Sequence, residues 1–165
     1  LIYATSTIEF WQMSAKHGES KRAAAWVKLE KDRRIAFPTE LLDSLSWYRT
    51  AEKIDVLLEL RLPHGLIVHR GDRQAEVEAQ RKDLLDENDS TDGSRRVALS
   101  YLRFQPSSIG NTNRRLTLPV SLAEHLVVVP GSSILLLFYD DLIELLREAD
   151  GLALLDQHSD DIVLT

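Results

Sequence analysis

The sequence predicts a mainly β fold with short helices (α+β), built as two similar units. Three observations carry that expectation. Residues 33–45 recur at 114–126: Arg33, Arg34, Pro38, Leu41 and Leu45 match Arg114, Arg115, Pro119, Leu122 and Leu126. An internal repeat constrains the organisation of a fold before any shorter motif does. The apolar runs have strand length and stand between turn signals. In each repeat a proline sits just ahead of leucines at helical spacing, the place a helix start tolerates it.

Taken in order, residues 1–20 say little; Ile8, Phe10 and Trp11 suit either a strand or a helix start. Residues 22–29 end in Trp26, Val27, Lys28 and Leu29 and read as a strand. Glu30, Lys31 and Asp32 make a turn into a short strand over 33–37. Pro38 opens a short helix with Phe37, Leu41, Leu42 and Leu45 on one side. Residues 54–60 form a strand, Pro63, His64 and Gly65 a turn, and 66–68 the return strand of a hairpin. Residues 73–86 are charged and lack Gly and Pro, so they read as an exposed helix, and 86–94 as a polar loop or linker.

The second unit repeats the order. It has a strand over 96–104, a loop over 105–113 longer than its counterpart, a strand over 115–118 and a helix opened by Pro119. Pro130 and Gly131 make a turn, and 134–139 a strand. Strand and helix compete for 142–148; the two-residue polar turn Asp140-Asp141 between apolar runs favours a hairpin. Beyond Gly151 lies a tail with a last apolar stretch over 162–164. The chain thus divides into a first unit (1–72), a helical linker and polar loop (73–94) and a second unit with a tail (95–165).

Composition excludes several classes of function. At 165 residues the chain is long enough for a real core. It has no cysteine, which removes disulfides and thiolate metal sites and leans the expected compartment to cytosol. No apolar run approaches the roughly 20 residues of a membrane span, and no signal peptide is visible. The first residue is Leu1 rather than Met, which leaves open that the chain is a fragment. A net charge of −6 argues against wholesale nucleic-acid binding but not against a local basic patch. Cations cluster at Lys21, Arg22, Lys28, Lys31, Arg33 and Arg34, and again at Arg95, Arg96, Arg103, Arg114 and Arg115. His17, His64, His69, His125 and His158 lack metal-site spacing, and His125 beside Glu124 reads as a surface helix pair. No phosphate-cradling loop or nucleophile elbow is present, so no catalytic residue, metal or cofactor is expected.

The order strand, polar turn, arginine, apolar residue, proline, short helix, Pro-Gly, strand, acidic turn, strand resembles the AbrB/SpoVT/MazE swapped-hairpin DNA-binding domains. Gly110, Asn111, Arg115-Leu116-Thr117-Leu118-Pro119, Val129-Pro130-Gly131 and Asp141-Leu142-Ile143-Glu144-Leu145 carry the likeness. Two such units in one chain resemble the MraZ transcriptional regulators, with Glu30 and Asn111 standing where that group has aspartate four residues before arginine. The resemblance covers roughly 22–70 and 95–148. It implies a pseudo-symmetric barrel of two swapped-hairpin units, a DNA-binding transcriptional regulator in the bacterial cytoplasm (nucleoid), double-stranded DNA as partner and a homo-oligomer. Physics favours the pairing, because a unit of about 50 residues buries too little surface alone. Ile35, Phe37, Leu41, Ile54, Val56 and Leu58 would find their partner face in Leu116, Leu118, Leu122, Ile134, Leu136 and Phe138.

The candidate DNA-binding residues are Arg33, Arg34, Arg114, Arg115, Lys28, Lys31, Asn111 and Asn113. Guanidinium grips phosphate or reads guanine, lysine contacts phosphate, and asparagine pairs with adenine. Arg33 and Arg114 would point to the opposite strand face from Arg34 and Arg115. Each has a plainer alternative: arginines holding a turn against Glu30 or a carbonyl, lysines on a solvated face, asparagines as turn formers. Trp11, Trp26 and Trp47 are expected to anchor a core or an interface. The competing function is an antitoxin-like interaction or oligomerisation module with a protein partner, suggested by the net charge and the acidic linker.

Overall fold

A computed structural model describes residues 22–48, 53–61, 63–73, 76, 79, 104–110 and 112–165. The first unit runs β1 (Arg22–Lys28), β2 (Arg34–Ala36), α1 (Thr39–Asp43), β3 (Ile54–Arg61) and β4 (Gly65–Arg70). The second runs β5 (Phe104–Ile109), β6 (Arg115–Thr117), α2 (Val120–Leu126), β7 (Ser133–Phe138) and β8 (Leu142–Arg147), followed by α3 (Glu148–His158) and β9 (Ile162–Leu164). The predicted order of elements is present in the first unit; in the second, β6, α2, β7 and β8 follow it, while β5 stands where the sequence predicts a loop. Glu76 and Ala79, within the predicted helix over 73–86, are helical and exposed. The polar loop over 86–94, the strand positions 96–103 and Trp11 lie outside the described residues.

The strands form a seven-stranded sheet ordered β5-β3-β4-β8-β7-β1-β9 and a separate two-stranded ribbon, β2-β6. Every pairing is antiparallel except β1 with β9. The two units interleave. β1 pairs with β7 of the other unit, β5 with β3, and the hairpins β3-β4 and β7-β8 meet along β4 and β8. In the ribbon Ile35 faces Leu116, its own counterpart in the repeat, with Arg34 opposite Thr117 and Ala36 opposite Arg115. A pseudo-two-fold axis therefore passes through the Ile35–Leu116 pair. Among the described residues the strands do not join into one closed barrel, and β5 and β9 are the sheet edges.

One core serves both units. Ile35, Phe37, Leu41, Leu42, Val56 and Leu58 pack in the same cluster as Leu116, Leu118, Leu122, Ile134, Leu136 and Phe138, with Ile54 and Trp47 against its margin. The opposite face of the sheet carries a second core of Ala24, Ile67, Leu135, Leu137, Leu142, Leu146, Leu154 and Ile162, with Trp26 beside it. Strands buried on both faces read as continuous apolar runs, which is why 134–138 has no alternation.

The structure corrects three expectations about where the elements lie. Residues 105–113 are not a long loop: β5 occupies most of that stretch, and the connection 110–114 is no longer than 29–33. Gln105, Ser107 and Ser108 look loop-like, yet they pair with Leu58, Val56 and Asp55 on β3, and Pro106 is tolerated because β5 is an edge. The segment beyond Gly151 is not a plain tail. It continues α3, whose Gly151 and Leu154 are buried against the sheet. Arg33 belongs to a tight turn, Lys31–Arg33, rather than to the second strand.

Candidate nucleic-acid interface

The ribbon β2-β6 positions the predicted site. Each of its strands is entered through a turn that carries the cations: 29–33 before β2 and 110–114 before β6. Backbone bonds tie the turns crosswise. Leu118 N–H donates to the Arg33 carbonyl at 2.8 Å, and Phe37 N–H donates to the Arg114 carbonyl at 3.1 Å. These two bonds are equivalents across the pseudo-two-fold axis.

Arg33 (φ 60°) and Arg114 (φ 51°) both have left-handed backbone, as does Asp32 (φ 68°). That conformation costs a non-glycine residue roughly 1–2 kcal/mol. It also corrects the expectation that these arginines occupy the opposite face of a strand: they are half-buried turn residues that reach into the other unit. Arg33 Nε donates to the Leu118 carbonyl at 3.1 Å, and Arg114 Nη1 donates to Thr39 Oγ1 at 2.9 Å. Thr39 carries no signal in the sequence, because its bond joins residues far apart along the chain and it has no hydroxyl counterpart at Val120.

The second arginines differ from one another. Arg115 forms a bidentate pair with Glu30 of the first unit, Nε to Oε1 at 2.5 Å and Nη2 to Oε2 at 3.1 Å. Its Nη1 donates to the Asn113 carbonyl at 3.2 Å. Hydrogen bonding from Arg115 holds the Glu30 carboxyl below the usual carboxylate range; burial opposes this, and the charges of Arg115 and Arg34 add to it. The same bond pushes the Arg115 guanidinium up. Arg34 lies with Nη2 3.7 Å from Asp32 Oδ2. An arginine does hold a turn against Glu30, but it is the arginine of the opposite unit.

Lys28 and Lys31 are exposed. Asn111 lies outside the described residues. Asn113 is exposed, and its Oδ1 accepts from Arg115 N–H at 3.1 Å. That side chain folds over Gly110, where a Cβ would collide with Asn113 Oδ1, so Asn113 serves the turn. Within 28–34 and 112–115 six cations stand against two carboxylates, in a chain whose net charge is −6.

Other titratable residues are engaged elsewhere. His125 is not a surface partner of Glu124: its Nε2 lies 2.8 Å from the Arg61 carbonyl and 3.1 Å from that of Gly65, bracing α2 against the β3-β4 hairpin. Tyr139 donates its hydroxyl proton to the buried Glu144 at 3.1 Å, with the Arg22 guanidinium 4.5 Å over its ring. Burial, and then the charge of Glu144, push the Tyr139 hydroxyl far up. Among the described residues no group of three His, Asp or Glu side chains has the arrangement to hold a metal ion. No helix among them is long and apolar enough to cross a membrane.

No protein-family model matches this chain, and a search of curated proteins finds no match either. The functional reading therefore rests on the geometry of the two turns and on the sequence resemblance.

Proposed function

We propose that this protein binds double-stranded DNA through the two arginine-bearing turns that flank the β2-β6 ribbon, as a transcriptional regulator of the AbrB/MraZ type. One observation carries the reading. Interleaving brings two equivalent cationic turns within ion-pair reach of each other, as the Arg115–Glu30 bond requires, in a chain that is otherwise acidic. The crossed pairing of β1 with β7 and β5 with β3 is what a swapped-hairpin dimer condensed into one chain would give. The matched left-handed backbone at Arg33 and Arg114 supports it further, since strain maintained twice suggests a turn kept for a purpose. A homo-oligomer and a bacterial cytoplasmic location accompany this reading.

The test is fluorescence anisotropy with a random duplex pool across a salt series. Micromolar or tighter binding that falls steeply with salt is expected. The double variant Arg34→Ala, Arg115→Ala should flatten the slope by about one unit for each phosphate that is no longer gripped. Unchanged affinity and slope in that variant would sink the site assignment. The antitoxin-like alternative draws on a different observation: Val127 and Val129, just past α2, are 60% and 67% exposed. Failure to bind DNA even at low salt would favour a protein partner over this surface.

A further inference from the structure

Two arginines occupy equivalent places in the repeat, yet their surroundings differ. Every guanidinium nitrogen of Arg115 is committed, Nε and Nη2 to Glu30 and Nη1 to the Asn113 carbonyl. The acid in contact with Arg34 is Asp32, at 3.7 Å from one nitrogen and itself 74% exposed; Glu30 acts on Arg34 through its charge without a hydrogen bond to it. Arg34 Nε is buried and has no hydrogen-bond partner among the described residues, so it is the Nη1 and Nη2 end of the guanidinium that can face outward. The Arg34 side chain is 44% exposed, against 35% for Arg115.

The cause is visible in the sequence. Glu30, four residues before Arg34, reaches across the ribbon to Arg115. The residue four before Arg115 is Asn111, and the turn 110–114 (Gly-Asn-Thr-Asn-Arg) holds no acid to reach back to Arg34. One turn thus closes the arginine of the other, and nothing of that kind closes its own.

Building on the DNA-binding reading, we infer that Arg34 reads bases and Arg115 is a positioning residue, so that the duplex this protein selects is not a palindrome. A two-fold protein ordinarily reads two matching half-sites. Here the half-sites meet unlike arginines. Arg34 can present a two-donor fork to guanine O6 and N7 or to a phosphate. Arg115 keeps one N–H on each of Nη1 and Nη2, but its bonds to Glu30 and the Asn113 carbonyl fix it in place, and the Glu30 charge beside it weakens its pull on phosphate. Sequence information therefore concentrates in one half, and the other half is held mainly through the backbone.

The experiment is selection of a site from a random duplex pool, then titration of that site across salt with the full chain and four variants. The selected site is expected to be asymmetric. Arg34→Ala should lose roughly ten- to hundred-fold in affinity and discrimination at one guanine, the scale of a bidentate contact. Arg34→Lys should keep the salt slope but lose the discrimination. Arg115→Ala should change affinity by only about two- to three-fold, as a positioning residue whose charge is already matched. Glu30→Gln, which frees Arg115 without removing it, should steepen the salt slope by about one unit. A palindromic site with equal losses from Arg34→Ala and Arg115→Ala would overturn this inference while leaving DNA binding intact. An unchanged slope in Glu30→Gln would also overturn it. If the unmodified chain binds no DNA at low salt, the DNA reading fails first and this inference with it.

Discussion

Gly151→Ala separates packing from helix propensity, because the two act in opposite directions. Gly151 is buried where α3 lies on the sheet. A Cβ there would stand 2.9 Å from both Leu135 Cβ and Trp26 Cη2, with Leu135 Cδ2 at 3.2 Å. Carbon atoms settle at about 3.5–4.0 Å, so something must yield by several tenths of an ångström. Leu135 Cβ is fixed to the backbone and cannot rotate away. The yielding element is α3, and lifting it loosens Leu154, which is 1% exposed in the second core. Overpacking of this kind costs about 1–3 kcal/mol, whereas alanine gains about 1 kcal/mol over glycine in a helix interior. The expected net is a destabilisation of about 1 kcal/mol. Ala153→Gly, at an exposed position of the same helix, reports the propensity contribution alone and should lose about 1 kcal/mol. Urea denaturation of both variants measures the difference, provided the slope m stays constant. If Gly151→Ala stabilises by what Ala153→Gly loses, α3 is not seated closely on β7 and the reasoning fails.

Three further outcomes are expected. Val127 ends α2 with a left-handed backbone (φ 56°) while its side chain is mostly exposed; Val127→Gly should stabilise by about 0.5–1 kcal/mol, and a lowered urea midpoint would contradict the cap geometry. Ile35→Ala, at the pseudo-two-fold axis and fully buried, should cost about 2–5 kcal/mol, and the variant should unfold in one cooperative transition; two separate transitions would mean that the units do not share a core. Because the Glu30 carboxyl is held below its ordinary 4.5, its pairing contributes stability that is fully present above that value. The contribution is lost as pH falls through the lower folded value. Glu30→Gln should remove it, so stability curves of the two proteins should converge on acidification; parallel curves would refute the pairing.

Much of the local structure is legible because its determinants are local. Pro38 and Pro119 mark helix starts wherever the chain goes next, and the repeat of arginine, proline and leucine sets the order of elements in both units. The turn Asp140-Asp141 between apolar runs separates β8 from a helix for the same reason. The local pattern misleads where neighbours in space override it. Gln105, Pro106, Ser107 and Ser108 carry loop chemistry, but the open edge of β3 supplies their backbone partners. The helix α3 is hidden because its small buried residue, Gly151, reads as a breaker; it is small because the sheet comes so close.

The candidate site divides in the same way. Sequence alone singles out the paired arginines and the unequal residues Glu30 and Asn111, since identity and spacing are properties of the chain. Which arginine braces and which stays open is decided only by tertiary structure. Arg33 grips Leu118, Arg114 grips Thr39 and Arg115 closes on Glu30, each across the pseudo-two-fold axis. Such bonds join residues 75 to 85 positions apart. Hydrogen-bond geometry depends on where two backbones meet, and no spacing along one strand encodes that meeting. The amino-acid order therefore determined two similar units and their cations, and the interleaving of those units determined which arginines are braced across the pseudo-two-fold axis.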